Sequence, residues 1–217
     1  MFINVHFNMF HRRSAPTMAM SLAMAILAVG SGQQMLWEDL GHSPNSGYWQ
    51  SVALSRDGTT MAVGGTSSPI YISTNLGTSW IDSGSSFSGN TNALALSDDG
   101  STILAGAYPG FLWISTNGGS SFNQDTSVGS TKQWTGTGIA GTKMVAIASF
   151  LNIRMSTNSG ASFAQTNVGN ELDWYDIAIS SDGMKLITVV YGGNIWTSTD
   201  GASIVEMMRS CHDCTIT

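Results

Sequence analysis

An internal repeat of about 42 residues constrains the fold of this 217-residue chain more than any other feature of its sequence. Its most regular part begins at Ser73, Ser115, Ser156 and Ser198, so that successive copies are 42, 41 and 42 residues apart. The four copies read STNLGTSW, STNGGSSF, STNSGASF and STDGASI. Because similarity at a fixed period of this length indicates a modular array, each copy should be one small unit packed against its neighbours.

Each repeat is predicted to fold as four short strands, which in the first copy cover about residues 51–55, 59–64, 70–74 and 79–82. The Asp-Gly and Asn-x-Gly sequences between them supply the positive-φ positions that hairpins need. The strand residues are nearly all small or apolar, so both faces of each sheet should be covered. Four-stranded sheets that stack face to face around an axis are the blades of a β-propeller.

We therefore predict an all-β fold, a β-propeller of four-stranded antiparallel blades with about four blades present. The repeats are expected to occupy residues 33–208. The blades should lie at about 48–83, 90–124, 132–165 and 172–206, with an extra outer strand at 35–41.

The charge and motif content of the chain excludes several classes of function. Only 10% of the residues are charged, and the net charge is −6. The eight Lys and Arg residues are too few to neutralise many phosphates, so no nucleic-acid partner is predicted. No P-loop, dinucleotide-binding glycine motif, H-E-x-x-H or G-x-S-x-G sequence occurs. With no histidine between His42 and His212, the repeats cannot support serine–histidine catalysis. We predict no cofactor and no metal site.

The repeated S-T-N-x-G-x-S-W/F segment resembles the Asp-box, or bacterial neuraminidase repeat (BNR repeat), which reads roughly S-x-D-x-G-x-x-W. That repeat occurs in sialidase-like propellers, sortilin-type receptors, some glucanases and photosystem II stability/assembly factors. The resemblance covers about residues 35–206. It implies a propeller fold and no particular activity, because in sialidase-like proteins the motif lies on the face away from the catalytic pocket.

The motif residues are expected to be structural. The Asn or Asp side chain should accept backbone N–H groups in an Asx-type turn, the Gly should supply positive φ, and the aromatic residue should fill the gap between neighbouring blades. The residues concerned are Ser73, Asn75, Gly77 and Trp80; Ser115, Asn117, Gly119 and Phe122; Ser156, Asn158, Gly160 and Phe163; and Ser198 and Asp200. The fourth copy lacks one residue before Gly201 and has Ile204 in place of the aromatic residue, which leaves its outer strand in doubt.

Two closures of the propeller are consistent with the sequence. In one, the strand around Trp37 completes the blade of residues 172–200 and closes a four-bladed ring, which removes a sheet edge. In the other, the chain is a fragment of a six- to eight-bladed protein. We favour the second, because propellers with this repeat generally have more blades.

The two ends of the chain differ from the repeats. Arg12 and Arg13 precede an apolar run at 18–29 that would span ~18 Å as a helix, too short for a ~30 Å hydrocarbon core. Residues 1–32 are therefore predicted to be a secretory or targeting segment whose removal leaves no stable membrane span. An uncleaved extension and a decayed strand are the alternatives. The tail 209–217, with Cys211 and Cys214, is predicted to be unstructured.

The ligand-binding candidates lie on the face opposite the repeated motif. Trp49, Trp134 and Trp174 occupy equivalent positions at the start of the innermost strand, near the mouth of the central channel. Tyr108, Phe150 and Tyr191 lie in loops between the second and third strands. These rings could stack on sugars or on a partner's side chains, whereas the alternative for the tryptophans is packing between blades.

The predicted function is an exported, non-enzymatic scaffold for binding or assembly, with a protein or a glycan as partner. The alternative is a secreted glycoside hydrolase or carbohydrate-binding propeller, for which Asp173 and Asp176 are weak catalytic candidates. Sialidase activity is not expected, because the arginine triad of that family has no counterpart here. The predicted localisation is secreted or extracytoplasmic, with an organelle lumen as the alternative.

Overall fold

A computed structural model describes residues 48–84, 90–166, 171–201 and 203–208, with only the backbone described for 204–208. Within these ranges every regular element is a β-strand, and the strands form four separate four-stranded sheets. In each sheet the strands follow chain order and neighbours are antiparallel. The predicted all-β propeller architecture of four-stranded blades is confirmed. The expected leader 1–32, the strand 35–41 and the tail 209–217 lie outside the described residues.

The four blades have the same order of elements. Blade 1 contains β1 (Tyr48–Leu54), β2 (Met61–Thr66), β3 (Tyr71–Ser73) and β4 (Ile81–Asp82). Blade 2 contains β5 (Thr91–Leu96), β6 (Ile103–Ala107), β7 (Leu112–Ser115) and β8 (Asn123–Gln124). Blade 3 contains β9 (Trp134–Ala140), β10 (Lys143–Ala148), β11 (Arg154–Ser156) and β12 (Ala164–Gln165). Blade 4 contains β13 (Trp174–Ile179), β14 (Leu186–Val190), β15 (Ile195–Ser198) and β16 (Ile204–Met208).

The hydrophobic core lies between the blades rather than at the centre of the molecule. The innermost strands contact one another in the order β1, β5, β9, β13, and three apolar clusters fill the gaps between consecutive blades. Each blade thus has a forward face, which packs on the next blade in chain order, and a rear face, which packs on the preceding one. Blades 2 and 3 are covered on both faces, so every residue of β6 is buried.

The four blades form an arc. Among the described residues, no contact of comparable extent joins blade 1 with blade 4. The outer edge of β15 is occupied by β16, so the fourth blade is completed by residues after Asp200 and the doubtful strand does form. The strand around Trp37, which the four-bladed ring needs at this edge, lies outside the described residues.

The repeated Ser-Thr-Asn segment forms the turn between the third and fourth strands, which we call the corner. In blade 1 the buried Ser73 Oγ accepts the Gly77 N–H at 2.9 Å and donates to Asn75 Oδ1 at 2.9 Å. Asn75 Oδ1 also accepts the Ser79 N–H at 2.9 Å, as expected for an Asx-type turn. The same bonds recur from Ser115, Asn117 and Gly119 and from Ser156, Asn158 and Gly160.

The corners also join the blades. Gly77, Gly119 and Gly160 all have φ between 80° and 85°, a conformation that L side chains rarely adopt. A Cβ on Gly119 would collide with the Ile72 side chain of the preceding blade. Phe122 packs in the cluster between blades 1 and 2, and Phe163 packs in the next cluster. Both phenylalanines come just before their outer strands rather than within them, because these strands are only two residues long.

The fourth corner is shorter but keeps its hydrogen-bond acceptor. Asp200 Oδ1 accepts the Ser198 hydroxyl at 3.0 Å and the Ser203 N–H at 2.7 Å. The surroundings of the glycine also differ from those in the other corners. A Cβ on Gly201 would instead meet the Gly183 backbone of its own blade and the Lys143 side chain of blade 3. The one-residue deletion therefore changes the surroundings of the glycine and keeps the two hydrogen bonds accepted by Asp200.

The turns between the first and second strands carry a second repeated hydrogen-bond pattern. In blade 2, Asp99 Oδ1 accepts the Ser97 hydroxyl at 2.6 Å and the Ser101 N–H at 3.0 Å, and Ser97 Oγ accepts the Thr102 N–H at 2.9 Å. These bonds favour the carboxylate and lower the pKa of Asp99 to about 2, the Ser97 hydroxyl contributing most. Equivalent bonds lower the pKa values of Asp57 and Asp182.

We predict that Ser115→Ala destabilises the protein by about 1–3 kcal/mol, because it leaves the N–H of the buried Gly119 without its acceptor. Urea unfolding followed by tryptophan fluorescence measures the change. Thr116→Ala, at the exposed neighbouring position, is the matched control and should change the free energy of unfolding by less than about 0.5 kcal/mol. Equal effects of the two substitutions would contradict a structural role for the corner serine.

We predict that Asp99 contributes stability that is present above its unfolded pKa of about 3.9 and is lost as the pH falls through about 2. Asp99→Asn should therefore lower the melting temperature at neutral pH and flatten its fall between about pH 4 and pH 2. The control is Asp98→Asn, whose exposed carboxylate faces Arg56 at 3.5 Å in an ion pair of about 0–1 kcal/mol. Parallel pH profiles of the wild type and Asp99→Asn would refute the assignment.

Candidate binding face

The loops between the second and third strands, and the connections from one blade to the next, lie on one side of the arc. We call this side the loop face. Because neighbouring strands are antiparallel, the corners and the Asp-containing turns lie on the opposite side, which we call the corner face. Many polar side chains of the corner face already form hydrogen bonds within their own turns. A ligand site is therefore more readily formed on the loop face.

Backbone hydrogen bonds between consecutive blades hold the loop face in place. Gly110 of blade 2 and Lys132 before blade 3 exchange bonds of 2.8 and 2.7 Å. Phe150 donates its N–H to the Leu172 carbonyl before blade 4 at 3.0 Å. The loops of blades 2 and 3 are thus fixed by the segment that starts the following blade, which restricts the backbone that carries their side chains.

Aromatic side chains project from this fixed surface. Tyr48, Phe150 and Tyr191 are 74%, 65% and 63% exposed, values that are high for large apolar rings. The predicted Tyr108 is half-buried, and its hydroxyl bonds to Gln133 Oε1 at 3.1 Å. Tyr175, also half-buried, lies with its ring centroid 6.0 Å from that of Tyr191. We call these five residues the aromatic rim.

Sequence reasoning did not identify Tyr48 or Tyr175 as candidates. Tyr175 is the extra residue of a β-bulge: Trp174 pairs with Val190 and Asp176 with Val189. Each innermost strand contains such a bulge, with Gln50, Asn92 and Thr135 as the equivalent residues. A bulge redirects the side chains around it, and its position depends on the pairing of strands rather than on residue type.

The three tryptophans at the channel mouth differ in their surroundings. Trp134 and Trp174 are fully buried, so neither presents a ring face on which a ligand could stack. Trp134 Nε1 donates to the Gly110 carbonyl at 3.2 Å, and Trp174 makes an edge contact with Trp196 at 5.8 Å. For these two residues the structure supports packing between blades. Trp49, in blade 1, is half-buried and makes an edge contact with Tyr71.

The two candidate carboxylates lie at the loop-face end of the innermost strand of blade 4. The backbone of Asp173 bridges to Ser149, and its carbonyl accepts the Tyr191 N–H at 2.9 Å. Asp176 Oδ1 accepts the N–H of the following Ile177 at 2.8 Å. Both side chains are half-buried and belong to the same blade as Tyr191.

A further acid, Asp125, takes part in hydrogen bonds that connect blade 2 with blade 3. Its buried side chain accepts the Ser127 N–H at 3.1 Å and the Ser127 hydroxyl at 2.7 Å. Ser127 Oγ in turn accepts the Phe163 N–H of the next blade at 3.0 Å. Asp125 therefore helps to fix the connection from blade 2 to blade 3.

In the part of the chain that the structure describes, no cluster of three or more His, Cys, Asp or Glu residues is arranged to hold a metal ion. The described residues also include no helix with the length and apolar character needed to cross a bilayer. Taken together, the loop face can offer flat apolar rings and a few carboxylates on a rigid backbone. Such a surface suits the binding of sugar rings or of a partner's side chains.

No known protein-family profile matches the chain, and no curated protein sequence matches it. Solved structures do match. The GH74 enzyme of Niastella koreensis superposes with a TM-score of 0.64 at 18% identity, covering 77% of this chain and 31% of the enzyme. YCF48 bound to D1 peptide superposes with a TM-score of 0.59 at 13% identity, covering 78% of this chain and 56% of YCF48.

A third similar structure is the outer coat vertex of COPII on membranes, with a TM-score of 0.60 at 15% identity and coverage of 75% of this chain and 49% of the coat protein. The chain thus spans about a third of the Niastella koreensis enzyme and about half of the other two proteins. At identities this low, the comparisons establish the propeller fold and leave activity open.

We predict that Trp134→Ala lowers the free energy of unfolding by about 3–5 kcal/mol, because it removes a fully buried ring from the gap between blades 2 and 3. Phe150→Ala, at an exposed position on the loop face, should change it by less than about 0.5 kcal/mol. Chemical denaturation of both variants measures the difference. A stable Trp134→Ala protein that has lost ligand binding would restore the ligand-stacking interpretation of this residue.

Proposed function

We propose that this protein is a non-enzymatic scaffold whose loop face binds an extended segment of a partner protein. The observation that carries the proposal is the aromatic rim, in which the strongly exposed rings of Phe150 and Tyr191 lie on hydrogen-bonded loops and that of Tyr48 lies at the start of β1. Exposed aromatic residues on a rigid surface are the residue types that dominate binding energies in protein interfaces.

The rigidity of the loops matters for the affinity that such a surface can reach. A binding surface that is ordered before binding loses less conformational entropy when a partner is bound. The Phe150 N–H is bonded to Leu172 and the Tyr191 N–H to Asp173, so the backbone beneath both exposed rings is already fixed. The main remaining cost is the ordering of the partner and of a few side-chain rotamers.

The comparisons support a protein partner for a fold of this kind. YCF48 has been solved with a D1 peptide bound, and another similar structure is part of the COPII coat assembled on membranes. Both have the propeller fold of this chain. A peptide or a protein is therefore a suitable partner for a surface built from propeller blades.

We also propose that the corners are Asp-box (BNR-type) repeats in which three of four copies use Asn in place of Asp. Supporting this, Asn75 Oδ1 accepts the hydrogen bonds that the Asp of such a turn would accept. Asn keeps the acceptor and removes the charge. This assignment concerns the structural role of the corner and implies no catalytic role.

Export is part of the proposal and rests on the sequence alone. Arg12, Arg13 and the apolar segment at 18–29 have the order of a secretory or targeting signal. The proposed destination is extracytoplasmic, with an organelle lumen as the alternative. N-terminal sequencing of the mature protein from its native cells, together with localisation of a C-terminally tagged chain, tests this directly.

Carbohydrate binding or glycoside hydrolysis is the second candidate function. The specific observation in its favour is that Asp173 and Asp176 share the loop face with exposed Tyr191, since sugar sites commonly combine carboxylates with aromatic rings. GH74 enzymes, including the xyloglucanase from Xanthomonas campestris, are among the similar structures. Release of reducing ends from xyloglucan that is lost in Asp173→Asn or Asp176→Asn would favour this candidate.

The peptide-binding proposal is tested with an array of 15-residue random peptides followed by affinity measurement for the tightest binder. We predict that Phe150→Ala and Tyr191→Ala each weaken binding by about tenfold, which is a loss of about 1.4 kcal/mol. Leu76→Ala, which removes an exposed apolar side chain from the corner face, is the matched control and should leave affinity unchanged. Peptide binding that is insensitive to both rim substitutions, or no binding at all, would contradict the proposal.

A further inference from the structure

We propose that copies of this chain associate head to tail, with the forward face of blade 4 in one copy packed on the rear face of blade 1 in the next. The contact would repeat the interface that already joins consecutive blades three times within the chain. It uses the ends of the arc and none of the loop face, so it stands independently of the proposed peptide binding.

The forward face of blade 4 exposes residues whose equivalents are buried in every other blade. Ile187 and Ile195 are 47% and 40% exposed. By strand register, the equivalents of Ile187 are Ala62, Leu104 and Val145, and those of Ile195 are Ile70, Leu112 and Ile153; all six are buried under a following blade. Blade 4 thus keeps the apolar character of a packed forward face.

The rear face of blade 1 shows the complementary feature. Leu54 is 37% exposed, whereas its equivalents Leu96 and Ile139 are buried against the preceding blade and Ile179 is half-buried there. Trp80 is only half-buried, whereas Phe122 and Phe163, which occupy its position in the next two corners, are buried in the gaps between blades. Blade 1 therefore retains the large side chains with which blades 2 and 3 fill the gap behind them.

The internal interfaces also predict which residues would meet across the new contact. In the gap between blades 3 and 4, Ile147 and Trp174 belong to one apolar cluster. Their equivalents across the proposed contact are Val189 of one copy and Trp49 of the next, again a branched aliphatic side chain against tryptophan.

A second pair follows from the same comparison. Ala53 of blade 1 packs against the apolar cluster between blades 1 and 2, to which Leu96 of blade 2 belongs. By strand register, the equivalent residues are Ala178 of one copy and Leu54 of the next. Alanine and leucine thus recur on the two sides of the proposed contact, as they do between blades 1 and 2.

A second copy is the occupant that this argument selects, because the same chain carries both halves of one repeating interface. A contact is heterologous when two different surfaces meet, here the forward face of blade 4 in one copy and the rear face of blade 1 in the next. If the rotation closes after two chains, the ring contains eight blades, which lies within the range of four to eight known for propellers. If the rotation does not close, the same contact joins the chains into an open series.

The test uses two substitutions in the full chain, Ile187→Arg on the forward face and Leu54→Arg on the rear face. Sedimentation velocity of the wild-type protein over a range of concentrations should show assemblies of two or more chains. Each variant alone should sediment as a monomer, because each has lost one half of the contact. A mixture of the two variants should recover a dimer, since the intact rear face of Ile187→Arg can bind the intact forward face of Leu54→Arg.

Recovery in the mixture also demonstrates that both variants are folded. Leu76→Arg, exposed on the corner face, is the control and should assemble like the wild type. A monomeric wild-type chain at all concentrations would overturn the proposal, as expected if residues 1–47 of the same chain or another protein cover these faces. Assemblies that persist in either single variant, or a mixture that stays monomeric, would also overturn it.

Discussion

Each blade of this protein is a small sheet with almost no charge, and both of its faces must be removed from water. A single four-stranded sheet of two- to seven-residue strands cannot achieve this by itself. Packing against a copy of itself on each side solves the problem, and the three apolar clusters between blades are the result. The repeated sequence therefore encodes a repeated interface between blades as well as a repeated sheet.

The close approach of the blades explains why small residues recur where they do. Gly64 and Gly106 on the second strands lie directly against Thr91 and Trp134 of the following blades, with no room for a Cβ. The corner glycine Gly119 lies against Ile72 in the same way. Glycines on one blade thus allow side chains of the next blade to approach its backbone closely.

The two sides of the arc have separate roles for a related reason. On the corner face, Ser, Thr, Asn and Asp side chains form hydrogen bonds with the backbone and side chains of their own turns. On the loop face, the turns are held by backbone bonds to the next blade, as at Phe150, or within their own blade, as at Tyr191, and both of these side chains are exposed to solvent. Stability and ligand contact are thus carried by different residues.

Much of the architecture could be predicted because it depends on local chemistry. The corner bonds of Ser73, Asn75 and Gly77 involve residues at most four apart, and their geometry follows from residue type and spacing. The candidate site was less predictable. Trp49, Trp134 and Trp174 are equivalent in sequence, yet the last two are fully buried and the first is half-buried. Within the described ranges, blades 3 and 4 have a preceding blade on their rear face and blade 1 has none, which accounts for the difference.

The sequence by itself determined the strands, their order within each blade and the turns that join them, because a 42-residue period and its Ser-Thr-Asn corners act through short-range hydrogen bonds and apolar pattern. Only the tertiary structure decided which aromatic rings reach solvent and, among the described residues, which blade faces have no neighbouring blade. Exposure depends on contacts between residues about 40 positions apart in the chain, such as Thr135 Oγ1 with the Trp174 carbonyl, and no local pattern encodes whether such a neighbour is present.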